Sequence, residues 1–201
     1  EASGLQFKDM AEGWLTRTGF PRVFVSTAYK EGKESKEGEG KSGEYTITLE
    51  QKGFDKKGPW QFPFVFGLVD KNGKDMMPTQ KHWIKNEKEM LSVPVAEEPA
   101  YISLNRNHAL YGKMFWKEQT QQQLEFQALT DSDIVNRYMA FSSLVDQEKV
   151  KLVRNIEEPI SPFVLSLYGK ILVNTQLTPE VKALFLAITE FAAESIFWVE
   201  R

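Results

Sequence analysis

Hydrophobic and polar positions alternate with period two through the first part of the chain. Pro21-Arg22-Val23-Phe24-Val25-Ser26 and Glu44-Tyr45-Thr46-Ile47-Thr48-Leu49-Glu50 predict half-buried strands, with Tyr45, Ile47 and Leu49 on one face. Phe62-Pro63-Phe64-Val65-Phe66-Gly67-Leu68-Val69 predicts a buried strand, and Pro63 places it at an edge or a strand start. Asp70-Lys71-Asn72-Gly73-Lys74 follows, and Asn-Gly tolerates positive φ at both turn positions, so a hairpin is expected there. Further short apolar runs at 90–95, 101–104 and 110–116 bring the count to about seven strands, the spacing of an antiparallel sandwich.

After Trp116 the period becomes helical. Leu124, Ala128 and Leu129 form one group; Ile134, Tyr138, Phe141, Leu144 and Val145 form a second at three- and four-residue steps. Asp131 or Ser132 is the expected N-cap of this second helix. Pro159 and Pro162 interrupt it, and Pro162 suits the first helical position after a Ser161 cap. Phe163, Leu167, Ile171 and Leu172 predict a third helix, and Thr178-Pro179-Glu180 opens a fourth, with apolar positions at Val181, Leu184, Phe185, Ile188, Phe191 and Ala192. Successive helices with short links predict an α-superhelix or bundle. The expected division is a lead-in segment at 1–19, a β-sandwich at 20–117 and helices at 118–201.

Composition narrows the chemistry. The 201 residues carry 25 Lys+Arg and 28 Asp+Glu, a net of −3, which argues against a strongly electropositive nucleic-acid binder. With 41% hydrophobic and 12% aromatic residues the chain has the material for a core. No apolar run reaches the roughly 18 to 20 residues of a membrane span. There is no cysteine, which removes disulfides, thiol nucleophiles and thiolate zinc sites. That fits a reducing, cytoplasmic setting.

Candidate motifs fail one by one. Gly38-Glu39-Gly40-Lys41-Ser42-Gly43 has dinucleotide-fingerprint spacing, but the fingerprint needs a strand before it and a helix after it. Here a Lys/Glu/Gly/Ser loop precedes and a strand follows, so residues 30–42 are expected to form a mobile, dispensable loop. Gly40-Lys41-Ser42 resembles a phosphate-loop ending, yet the first glycine it requires falls at Ser35. His82 and His108 are the two histidines, each without a second ligand nearby in sequence. Asp131 and Asp133 could pair for acid–base work, but acids at a helix start are explained by the positive end of the dipole. Trp14, Trp60, Trp83, Trp116 and Trp198 are scattered, as packing residues are. No catalytic, cofactor-binding or metal-ligating residue is assigned.

Several short elements, in order over residues 1–145, resemble the aminopeptidase N family of zinc metallopeptidases, in its bacterial alanyl aminopeptidase branch. Trp14, Gly19, Pro21, Val23 and Val25 fall on a W-x4-G-x-P-x-[VIL]-x-V pattern. The strand 62–70 with Asn72-Gly73 is similar to that family's buried strand and hairpin, and Pro99-Ala100-Tyr101-Ile102-Ser103-Leu104-Asn105-Arg106 to a strand of that family marked by Pro, Ser and Arg. Asp131-Ser132-Asp133-Ile134-Val135-Asn136-Arg137-Tyr138-Met139-Ala140 resembles a D-x-D-x-[FV]-x-R-[WY]-x-A helix start. Asn107-His108-Ala109-Leu110 departs from the family's usual F-S-A-P, and Tyr138 replaces Trp.

The resemblance implies an immunoglobulin-like sandwich acting as a spacer, followed by the start of a helical superhelix covering an active site. Zinc and the His-Glu-x-x-His and Gly-Ala-Met-Glu-Asn motifs would belong to a catalytic domain; neither motif occurs here. The implied partners are that catalytic domain and further helices, with peptides as substrates of the parent, and neither nucleic acid nor membrane. The chain then reads as an excised segment, with exposed apolar surface expected at Trp14 and Leu15 and around Phe185, Ile188, Phe191, Ile196, Phe197 and Trp198. The alternatives are a free-standing peptide- or protein-binding module, and an independent hydrolase, for which the raw material is poor.

Overall fold

The computed structural model describes residues 8–32, 43–155 and 157–187. The expected loop at 30–42 and the apolar positions Ile188, Phe191, Ile196, Phe197 and Trp198 lie largely or wholly outside the described residues. The chain divides into two compact units, meeting between Gln119 and Thr120.

In the first unit a short helix α1 (Lys8–Leu15) precedes seven strands among the described residues: β1 (Arg22–Lys30), β2 (Gly43–Lys52), β3 (Phe62–Val69), β4 (Gln80–Ile84), β5 (Lys88–Val95), β6 (Tyr101–Leu104) and β7 (Lys113–Trp116). They form a four-stranded sheet in the order β5-β2-β1-β7 and a three-stranded sheet in the order β4-β3-β6. The inward rows of both sheets make one apolar cluster, with Val23, Val25, Ile47, Phe62, Phe64, Phe66 and Leu68 at 0% exposure. Burying side chains of this size supplies about 1.5 to 3 kcal/mol each, which drives the unit together.

Two expectations need correction. The pairing is not antiparallel throughout: β7 joins β1 in parallel, Arg22 facing Lys113 and Val25 facing Trp116. A strand from far along the chain thus closes the edge that the β1–β2 hairpin leaves open. The strand β4 was also not expected, because Lys81-His82-Trp83 lacks a clean alternation; its place beside β3 supplies the order. The hairpin at Asp70 is present in a modified form. The Asp70 carboxylate accepts from the backbone N–H of Asn72 (2.8 Å) and Lys74 (2.9 Å), and Gly73 alone takes positive φ, at 77°.

Arg106 is an internal anchor of this unit. Its side chain is 3% exposed, pairs with Asp75 at 2.6 Å and donates to the Thr79 hydroxyl at 3.2 Å. The guanidinium lies on Gly67 of β3, where an added Cβ would come within 2.1 Å of its central carbon. Only a residue without a side chain leaves that seat open.

Tyr45 carries a pH dependence. It is 3% exposed. Burial pushes its phenol up to about 12, against an opposing hydrogen bond with Thr27 and with lesser contributions from Glu98 and Glu118. A raised phenol favours the neutral, folded form. Its stability is complete below pH 10 and is lost as pH rises toward 12, by about 2 kcal/mol. Tyr45→Phe is expected to flatten the alkaline limb of a denaturation profile between those values; an unchanged limb refutes the assignment.

The second unit contains α2 (Gln121–Thr130), α3 (Ile134–Arg154), α4 (Pro162–Val173) and α5 (Pro179–Leu186). Thr120 opens α2 with a capping box to Gln123. Ser161 and Thr178 cap α4 and α5, each followed by Pro, as expected. The cap of α3 is Asp133, rather than Asp131 or Ser132: its carboxylate accepts from the N–H of Val135 (3.0 Å) and Asn136 (3.1 Å). Asp131, 2% exposed, instead holds the corner, accepting from the Gln127 amide and from the N–H of Asp133, each at 3.0 Å. Arg137 closes it by donating to the carbonyls of Ala128 (3.2 Å) and Leu129. The core of this unit is Ala128, Ala140, Phe141, Leu144, Leu167, Ile171, Leu177 and Phe185. Phe185 corrects the expectation of exposed apolar surface on the last helix: it is 1% exposed, packed against Tyr138 and Phe141.

Candidate functional site

Along β2 the inward row Tyr45, Ile47, Leu49 continues to Gln51, a polar side chain at 1% exposure. Its amide is fully used. Nε2 donates to the carbonyls of Trp60 (2.9 Å) and Asn86 (3.0 Å), and Oε1 accepts from the Trp60 N–H (2.9 Å). A buried amide satisfied in this way fixes the loop that leads from β2 to β3. Trp60 is thereby held at 4% exposure.

Helix α1 lays Trp14 on that ring. The two indole centroids are 4.7 Å apart and tilted by 53°, and the Trp14 Nε1 donates to the Gln61 carbonyl at 2.8 Å. Arg17 covers Trp60 from another side, its guanidinium carbon 4.0 Å from the ring centroid. It also donates to the Gly58 carbonyl at 2.7 Å and pairs with Asp55 at 3.0 Å. Lys57 donates to the Thr16 carbonyl and hydroxyl, both at 2.9 Å. Trp14, Thr16, Arg17, Lys57, Trp60 and Gln61 line a cavity of about 450 Å³.

The groups around the cavity are spent on one another: the Trp60 ring is covered by Trp14 and Arg17, and Arg17 is paired with Asp55. None of its described lining residues is His, Asp or Glu, so none offers the Thr16 hydroxyl a general base. Trp14 is half-buried against its own unit, whereas Leu15 is 85% exposed, so the expectation of apolar exposure at this side holds for one residue of the two.

The residues weighed from the sequence are placed apart. His82 lies on β4, its ring stacked near Phe66 at 6.0 Å. His108 is exposed in a short turn (Arg106–His108) after β6, on the other flank of β3. Among the described residues no group of three or more His, Cys, Asp or Glu is arranged to hold a metal ion. Asp131 and Asp133 are both occupied in the corner between α2 and α3. Gly43, the last glycine of the fingerprint spacing, begins a strand and not a helix. Among the described residues no helix is long and apolar enough to cross a membrane. The cavity lining was missed in the sequence. Its one legible signal was Gln51, a polar residue in phase with three inward apolar ones.

No protein-family sequence profile matches the chain, and no curated protein matches it in sequence. Among solved structures the chain is similar to aminopeptidase A of Legionella pneumophila, crystallised in complex with aspartic acid. The TM-score is 0.71 at 19% identity, over 93% of this chain and 20% of that one. The chain therefore spans about a fifth of the length of that protein. At this identity the likeness speaks to fold: the chain shares its fold with part of that aminopeptidase.

Proposed function

We propose that the chain is a non-catalytic part of a zinc-dependent aminopeptidase of the aminopeptidase N type, which removes N-terminal residues from peptides. Residues 20–117 act as an immunoglobulin-like sandwich that spaces the parts of the enzyme. Residues 118–201 begin a helical superhelix that covers the active site. Zinc belongs to a catalytic domain outside this chain, and that domain and further helices are its partners; the enzyme is cytoplasmic.

The observation that carries this reading is the likeness in fold over 93% of this chain to a fifth of an aminopeptidase. The order of the short motifs around Gly19, Asn72-Gly73, Arg106 and Asp131 supports it. Two measurements test it together. The purified 201-residue chain is expected to retain no stoichiometric zinc after dialysis and to release no fluorophore from aminoacyl reporters. The reading frame from which it comes is expected to encode His-Glu-x-x-His upstream. One tight zinc per chain, turnover above the buffer rate, or a frame without that motif overturns the proposal.

A further inference from the structure

The outer face of the four-stranded sheet carries an arrangement that strand pairing alone disfavours. Register places Lys52 of β2, Arg22 of β1 and Lys113 of β7 directly beside one another. All three are exposed, while their chain neighbours Gln51, Val23 and Met114 turn toward the core. Like charges directly opposite across strands repel. Glu50 partly neutralises Lys52 at 3.4 Å and Lys117 at 3.5 Å, but among the described residues neither Arg22 nor Lys113 has an ion pair. The next row is Glu50, Phe24 and Phe115. The two phenyl rings stack at 5.2 Å, with Lys52 and Lys117 over Phe24 at 5.3 and 6.0 Å and Arg22 over Phe115 at 5.9 Å. One end of this sheet face is thus an aromatic floor ringed by Arg22, Lys52, Lys113 and Lys117, on a chain whose net charge is −3.

The geometry points to a docking surface for an acidic polypeptide segment, whose carboxylates sit over the Lys52, Arg22, Lys113 row. The row spans two inter-strand steps, about 10 Å, and alternate side chains of an extended peptide repeat about every 7 Å, so two acids on one side of it reach the row. A nucleic-acid strand fits less well. Base stacking needs an open ring face, and here both rings already carry cations. An acidic peptide needs only local complementarity, and its binding is salt-sensitive.

The test uses the whole chain and a fluorescent peptide of repeated Glu-Glu-Leu, with a Lys-Lys-Leu peptide and oligothymidylate as comparison probes. The acidic peptide is expected to bind at low salt and to weaken about tenfold in the Arg22→Glu/Lys113→Glu double variant. Lys81→Glu, on β4 of the other sheet, is expected to leave binding unchanged. Lys113→Thr, which keeps a good strand former and removes a repelling charge, is expected to hold or raise the melting temperature. Equal binding of the acidic and basic peptides overturns the inference, as does tighter binding of oligothymidylate. A fall in melting temperature on Lys113→Thr also overturns it, since the row would then serve the fold. The inference is independent of the proposed function: zinc and turnover assays leave it untouched.

Discussion

Arg137→Ala is expected to lower the stability of the helical unit by about 3 kcal/mol. Helix α2 ends with carbonyls that have no partner further along the helix. Arg137 supplies donors to two of them, Ala128 and Leu129, from a side chain of a residue at 4% exposure. Alanine leaves both carbonyls without those donors, and Ala128 is itself at 0% exposure. Each unpaired buried acceptor costs about 1 to 3 kcal/mol. Lysine keeps the charge but not the fork, so Arg137→Lys is expected to recover less than half of the loss. The measurement is urea unfolding followed by helical circular dichroism. A loss below about 1 kcal/mol would mean that water replaces the guanidinium at the corner.

Gly67→Ala is expected to cost the sheet unit about 2 to 3 kcal/mol, a large effect for one methyl group. The new Cβ would meet the Arg106 guanidinium at 2.1 Å, and the side chain cannot yield without leaving Asp75 and Thr79. Asp75 keeps 34% side-chain exposure, which screens the broken pair and holds the figure below that of a fully buried one. The two positions should couple. Once Arg106→Ala has emptied the seat, adding Gly67→Ala is expected to cost well under 1 kcal/mol. Additive losses in that double-mutant cycle would show that Gly67 serves the strand and not the arginine.

The strands were legible where burial imposes a pattern, alternation when one face is buried and an unbroken apolar run when both are. The stretch Tyr45 to Leu49 and the apolar run Phe62–Val69 recur in the structure as β2 and β3. The helices were legible through their caps: Ser161 before Pro162 and Thr178 before Pro179 act where expected. What escaped was decided by distant partners. β4 is a strand because β3 offers it an edge, and its own residues alternate poorly. Asp131 and Asp133 look equivalent in sequence. Only the fold assigns one to the cap and the other to the Gln127 amide. The cavity beside α1 was hidden for the same reason: Trp14, Arg17 and Trp60 are separated in the chain and meet through the loop that Gln51 clamps.

The parallel seam between β1 and β7 sets a schedule for synthesis. β1 is paired along one side as soon as β2 emerges, but its other side waits for Lys113–Trp116, about 90 residues later. At roughly 5 to 20 residues per second, that edge stays open on the ribosome for about 5 to 20 s. An open edge bearing Val23 and Val25 is a template for another nascent chain. The helical unit has no such wait. Its corner closes between Gln127 and Arg137, and contacts that local form fast. Crowded ribosomes therefore put this edge within reach of other nascent chains, and slowing translation before Lys113 would lengthen the vulnerable interval.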